Sequence, residues 1–153
     1  MISFKSGMRL VLDTNVIVAA LRSDQGASRQ LLLAALDRRF EMLISVPLML
    51  EYESVLTRPE HLSAAGISRI EMSSVLDAIV GVAEPVKLRF LWRPQLKNPA
   101  DEMVLETAAN GQADRIVTFN VRHFRTAAAH FGIQIMEPAE AWRAMKGGKH
   151  EEK

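Results

Sequence analysis

The chain has 153 residues, 48% of them hydrophobic and 24% charged, which is one domain's worth of chain with enough apolar material for a core that needs no crosslinks. It contains no cysteine, so disulfide frameworks, thiolate metal sites and cysteine nucleophiles are excluded. Its formal net charge of +1 gives no global attraction to nucleic acid, and any such argument must rest on local clusters.

In chain order, Met8 to Leu12 is an apolar run closed by Asp13, which suits a strand buried on both faces. Val16 to Leu21 reads as a short helix. Ala27 to Arg39 reads as a stronger one, with Leu31, Leu32, Ala35 and Leu36 at helical spacing. Glu41 to Val46 is a second strand. Pro47 suits a first helical turn with Ser45 as its cap, and that helix runs to about Thr57, ahead of Pro59. Ser68 opens a helix to about Val82. Val86, Leu88, Phe90 and Trp92 alternate with Lys87, Arg89 and Arg93, which predicts a third strand. Pro99 to Asn110 is a helix stopped by Gly111, and Arg115 to Phe119 a fourth strand. Val121 to His130 is a helix ended by Gly132, Ile133 to Met136 a fifth strand, and Pro138 starts a last helix through Trp142. Strands alternate with helices, so the class is α/β with a mostly parallel sheet. Residues 1–145 read as a single domain and 146–153, polar and glycine-containing, as a tail expected to fray.

Sites in open α/β sheets gather at the carboxyl ends of strands. That rule selects Asp13-Thr14-Asn15 after the first strand, Thr118-Phe119-Asn120 after the fourth, Asp101 at the start of a helix, and Glu51 and Glu53 on the helix after the second strand. An aspartate such as Asp13 is also a helix N-cap. However, a carboxylate leaving a buried strand needs a partner, and a cation is one. On a helical wheel, at about 100° per residue, Val104, Leu105 and Ala108 lie within about 60° of Asp101, whereas Glu102 and Glu106 point toward the polar face. Asp101 is therefore expected to face inward, which helix capping alone does not require. Glu51 and Glu53 lie about 200° apart, so at most one faces a given site, and periodicity does not choose between them.

The string Val11-Leu12-Asp13-Thr14-Asn15-Val16-Ile17-Val18 resembles the opening motif of PIN-domain ribonucleases. Pro47-Leu48-Met49-Leu50-Glu51-Tyr52-Glu53-Ser54-Val55-Leu56 with Arg58-Pro59 resembles that family's glutamate-bearing helix, and Asn98-Pro99-Ala100-Asp101-Glu102 with Leu105 and Ala108 its aspartate-bearing helix. Ile116-Val117-Thr118-Phe119-Asn120 with Phe124 resembles the strand that ends in its last acidic position. Four matches in the family's order span Leu10 to about Met136, and they look most like the VapC-like toxins of bacterial toxin–antitoxin pairs. The resemblance implies a three-layer α/β/α sandwich with about five strands. It selects Glu51 over Glu53, and it implies a catalytic set of Asp13, Glu51 and Asp101. Two positions depart from the pattern: Asn120 and Asn98 stand where the family often carries aspartate. An amide ligates through its carbonyl oxygen but adds no charge.

The implied chemistry is hydrolysis of phosphodiester bonds in single-stranded RNA with Mg²⁺ or Mn²⁺, hard ions that suit clustered carboxylates. Asp13, Glu51 and Asp101 would hold the metal, Asn120 a weaker or water-mediated position, and Thr14, Asn15 and Thr118 would orient these ligands. Mutual repulsion should raise the carboxyl pKa values while no cation is bound. For phosphate contacts the sequence provides Lys87, Arg89, Arg93 and Lys97 in one group and Arg115, Arg122, His123 and Arg125 in another. Of these, Lys97, Arg122 and His123 are the candidates for substrate binding. The resemblance further implies a cognate antitoxin protein and a homodimer. No apolar stretch reaches the roughly 18 residues of a membrane span, and the opening MISFKSGMRL lacks a cleavage-site pattern, so a cytoplasmic protein with no membrane partner is expected. Two other readings stay open. One is a phosphohydrolase with an aspartyl nucleophile, for which Asn15 stands where a second aspartate is usual. The other is a weakened PIN domain that only binds RNA or protein.

Overall fold

A computed structural model describes residues 8–90 and 96–151, with side chains through Lys146. Its strands are β1 (Arg9–Leu12), β2 (Glu41–Ile44), β3 (Glu84–Pro85), β4 (Arg115–Val117) and β5 (Gln134–Met136). They form one all-parallel sheet in the order β3-β2-β1-β4-β5. The helices of the described residues are α1 (Thr14–Arg22), α2 (Ala27–Leu36), α3 (Val46–Leu56), α4 (Pro59–Ala65), α5 (Arg69–Val82), α6 (Pro99–Asn110), α7 (Val121–Ala129) and α8 (Pro138–Glu151). They flank the sheet in an α/β/α arrangement. Leu10, Val11 and Leu12 are fully buried, as a central parallel strand covered on both faces requires.

The chain leaves β1 toward β2 on one side, and β4 then returns to the other side of β1. The strand order therefore reverses between β1 and β4, and the crevice at their carboxyl ends is the topological switch point where such sheets bind ligands. Two backbone bonds carry the sheet past the strand ends at this place, Asp13 N to Val117 O at 2.9 Å and Thr118 N to Met136 O at 3.0 Å.

Four local features differ from the sequence reading, the first being that the last helix, α8, does not stop near Trp142 but continues to Glu151, through most of the stretch read as a fraying tail. The third strand is only Glu84–Pro85, an edge strand where proline is tolerated, extended by a bond from Val86 N to Ile44 O. Of the alternating residues beyond it, Lys87 to Phe90 do not join the sheet. Asn110 Oδ1 accepts from the backbone N–H groups of Arg89 and Phe90, its Nδ2 donates to Phe90 O, and Glu102 Oε1 accepts from Leu96 N. Arg89, Phe90 and Leu96 are thus held by side chains of α6. Trp92 and Arg93 lie outside the described residues. For the same reason Glu102 and Glu106 are buried (5% and 1% exposed) rather than on a wet face. Pro59, read as the stop of α3, also opens α4, because proline fits the first helical turn as well as it ends a preceding helix.

At the amino edge of the sheet, Arg9 ties several elements together. Its guanidinium meets Glu41 at 2.8 Å and Glu84 at 3.0 Å, and it donates twice to Gly111 O. Gly111 ends α6 at φ −88, a conformation open to any residue, so space is what it supplies. A Cβ there would stand 2.8 Å from Val86 Cγ2, 2.9 Å from Leu43 Cδ1 and 3.0 Å from Thr107 O. Gly111→Ala should lower unfolding stability by about 1–3 kcal/mol. Denaturant titration checks this, and an unchanged midpoint would contradict the close packing of α6 on β2.

Candidate active site

Asp13 follows β1 directly and is 6% exposed. It is the N-cap residue of α1, yet its carboxylate does not take the second or third helical N–H as a cap usually does. Oδ1 accepts from Thr14 N at 2.7 Å, and Oδ2 accepts from the Thr118 hydroxyl, also at 2.7 Å. Thr118 is fully buried at the end of β4, and its oxygen accepts from Asn120 N at 2.9 Å. The switch point is thus closed by a hydrogen-bonded relay from Asn120 through Thr118 to Asp13. Tyr52, from α3, is fully buried and donates its hydroxyl to Leu12 O, which anchors the strand end just before Asp13. Burial, and then the nearby charge of Asp13, push the Tyr52 pKa upward, so the phenol keeps the proton it donates.

Asp101 lies in the first turn of α6 and is 6% exposed, facing inward as the wheel predicts. Capping falls to Asn98, whose Oδ1 accepts from Ala100 N at 2.8 Å, which leaves Asp101 free for other contacts. Its Oδ2 lies 3.0 Å from His123 Nδ1. Glu51 is half-buried on α3, while Glu53 is exposed and lines a separate groove with Met49 and Asp77. Two hydroxyls set α3 against α6: Ser45, the N-cap of α3, donates at 2.7 Å to Thr107, which in turn donates to Met103 O.

Asp13 feels the charges of both other acids. The Asp13 carboxyl is pushed up to about 6, with burial the largest cause and the charges of Asp101 and Glu51 adding to it. The Thr118 hydroxyl and the Thr14 N–H oppose the rise. Repulsion alone, the sequence-based expectation, is the smaller part. The donors are all oxygens, which fits a hard divalent ion. Among the described residues, however, no three His, Asp or Glu side chains stand as a closed ligand set. Both Asp13 oxygens are engaged by Thr14 and Thr118, and one Asp101 oxygen is engaged by His123.

The remaining sequence candidates are placed as follows. Thr14 is buried, and its hydroxyl has no hydrogen-bond partner among the described residues. Asn15 accepts from Phe119 N over a long 3.5 Å. Asn120 is exposed at the start of α7, where its side chain makes no capping bond. Lys97, Arg122 and His123 line one cavity of about 550 Å³ together with Asp101. The other basic residues disperse: Arg115 bonds Gln134 at the amino end of β4, and Arg125 lines a groove along β5. The sequence reading gave no role to Tyr52, Phe119 or His130. Phe119 is 47% exposed at the end of β4, and His130 lines the cavity with His123. Spacing offered a signal for His130, because residues 123, 126, 127 and 130 share a helical face.

The sequence profile of the PIN domain matches residues 9–122. The fold is similar to that of a chain in the crystal structure of VapBC2 from Rickettsia felis bound to a DNA fragment from their promoter, with a TM-score of 0.59 at 16% identity. That likeness covers 85% of this chain and 98% of that one. No curated protein sequence matches the chain. Among the described residues no helix is long and apolar enough to cross a membrane. The chain belongs to the PIN-domain family.

Because the folded carboxyl of Asp13 titrates at about 6 against 3.8 for the free group, the folded state holds this proton more tightly than the unfolded chain. The stability it contributes is fully present below pH 3.8 and lost as pH rises through about 6. Without metal, Asp13→Asn should therefore unfold at a higher temperature than the wild type at about pH 8, with the gap closing at about pH 4. Calorimetry across pH measures this; a variant less stable than wild type at both pH values would contradict the buried, ionised carboxylate.

Proposed function

We propose that this PIN-domain protein is a metal-dependent endoribonuclease that hydrolyses phosphodiester bonds of single-stranded RNA with Mg²⁺ or Mn²⁺. We further propose that it is the toxin of a toxin–antitoxin pair, a cytoplasmic homodimer held in check by a cognate antitoxin protein. The observation that carries the reading is the carboxylate of Asp13, buried at the switch point within the electrostatic reach of Asp101 and Glu51. Membership of a family whose domains are generally nucleases supports it, as does the fold shared with the Rickettsia felis VapBC2 structure.

A divalent ion bound there would supply a water of lowered pKa and neutralise charge on the phosphate. Asp13, Asp101 and Glu51 are the residues to hold it, with Asn120 contributing an uncharged oxygen from the start of α7. Thr118 holds the Asp13 carboxylate in one orientation, and Tyr52 fixes the strand end beneath it. His123 contacts one oxygen of Asp101, and the other would be the one to share a cation with Asp13. Lys97 and Arg122, beside Asp101, provide positive charge for the phosphates.

Asn120 and the His123–Asp101 contact also favour a second reading, an RNA- or protein-binding module with little catalysis. Single-turnover cleavage of single-stranded RNA separates the two. On the first reading Mn²⁺ gives cleavage and a chelator abolishes it. Thr118→Val then loses roughly 10- to 100-fold, and Asp13→Asn and Asp101→Asn lose at least as much. RNA binding without cleavage at any Mn²⁺ concentration selects the second reading.

A further inference from the structure

We infer that the cavity between the start of α6 and the exposed face of α7 is a subsite for one unstacked nucleotide of the substrate strand, next to the phosphate that is cleaved. This rests on the nucleolytic reading of the adjoining carboxylates. The cavity, about 550 Å³, is of ligand size and too small for a duplex. Its lining is two-natured. Lys97 and Arg122 bring cationic side chains, whereas Leu96 and Ala127 present apolar surface and His130 an aromatic ring. A hydrated metal ion or a free anion has no use for the apolar wall and the ring, and an apolar ligand has none for the cations. A nucleotide uses both, because its phosphate is anionic and its base has a flat face that stacks on aromatic and apolar groups. A base inside a helical stack already has both faces covered, so the cavity selects one that has left the stack.

Continuity with the acids fixes the position of this subsite. Asp101 belongs to the cavity lining, and His123, which also lines it, touches the same carboxylate at 3.0 Å. The nucleotide held here is therefore an immediate neighbour of the scissile phosphate, and the fit of its base against Leu96, Ala127 and His130 contributes to sequence preference. The geometry makes Thr126, exposed on α7 and part of the lining, the position from which a larger side chain would fill the space.

The test is a titration of the metal-free full chain with adenosine 5′-monophosphate, uridine 5′-monophosphate and inorganic phosphate, followed by amide resonances. The expected result is shifts at Leu96, Thr126 and His130, with at least one nucleotide binding roughly tenfold or more tightly than phosphate. Thr126→Trp should remove that preference, and His130→Ala should reduce it by about tenfold. Equal binding of phosphate and both nucleotides would reduce the cavity to an anion site, and shifts elsewhere, or none, would remove it; each overturns the inference. Cleavage of RNA by a chain that binds neither nucleotide would sink the subsite and leave the nuclease reading standing. Nucleotide binding at the cavity in a chain that leaves RNA uncut in Mn²⁺ would do the reverse.

Discussion

The site depends on one buried contact, the Thr118 hydroxyl donating to the carboxylate of Asp13 across the crevice between β1 and β4. Ionising a carboxyl group with 6% exposure is costly, and here the cost is only partly offset by Thr118 and the Thr14 N–H. Two further acids then add repulsion. A sheet built for stability alone has no reason to put Asp101 and Glu51 within the field of a buried Asp13. Structures usually hold such uncompensated charge where function requires it.

The surrounding fold brings these groups together. The parallel order puts the ends of β1 and β4 side by side, and the reversal of strand order opens the crevice above them. Tyr52 reaches from α3 to the carbonyl just before Asp13, and the Ser45–Thr107 hydroxyl pair locks the glutamate-bearing helix to the aspartate-bearing one. Asn98 takes over capping of α6, so Asp101 is spared that task. The structure separates this crevice from the acids at the other end of the sheet, where Glu41 and Glu84 share the guanidinium of Arg9.

Much of this was legible in the sequence, and the reasons differ by residue. The central strand was readable because burial on both faces leaves a continuous apolar run, and the α6 boundaries because Pro99 and Gly111 punctuate them. The inward direction of Asp101 followed from helical period. The burial of Glu102 and Glu106 did not, because a wheel sees only one partner face, and here Arg89, Phe90 and Leu96 meet α6 on another. The same packing hid the short length of β3: alternation marks two-sided exposure, and Asn110 on a helix can satisfy such a backbone as a neighbouring strand would. Sequence spacing grouped four basic residues near β4, but strand direction sent Arg115 to the opposite end from Arg122 and His123. Helical period left Glu51 and Glu53 open and the family resemblance selected Glu51; the orientation of α3, which no single-helix pattern contains, puts Glu51 within the field of Asp13 and Glu53 on a separate groove.

The central claim is that Asp13, Asp101 and Glu51 act together as one cation site. Paramagnetic line broadening by substoichiometric Mn²⁺ tests it without any assumption about substrate. The account predicts that broadening centres on Thr14, Thr118 and the first turn of α6, and disappears in Asp101→Asn. Broadening centred on Glu41 and Glu84 at the far end of the sheet, or undiminished at the crevice after that substitution, would contradict it.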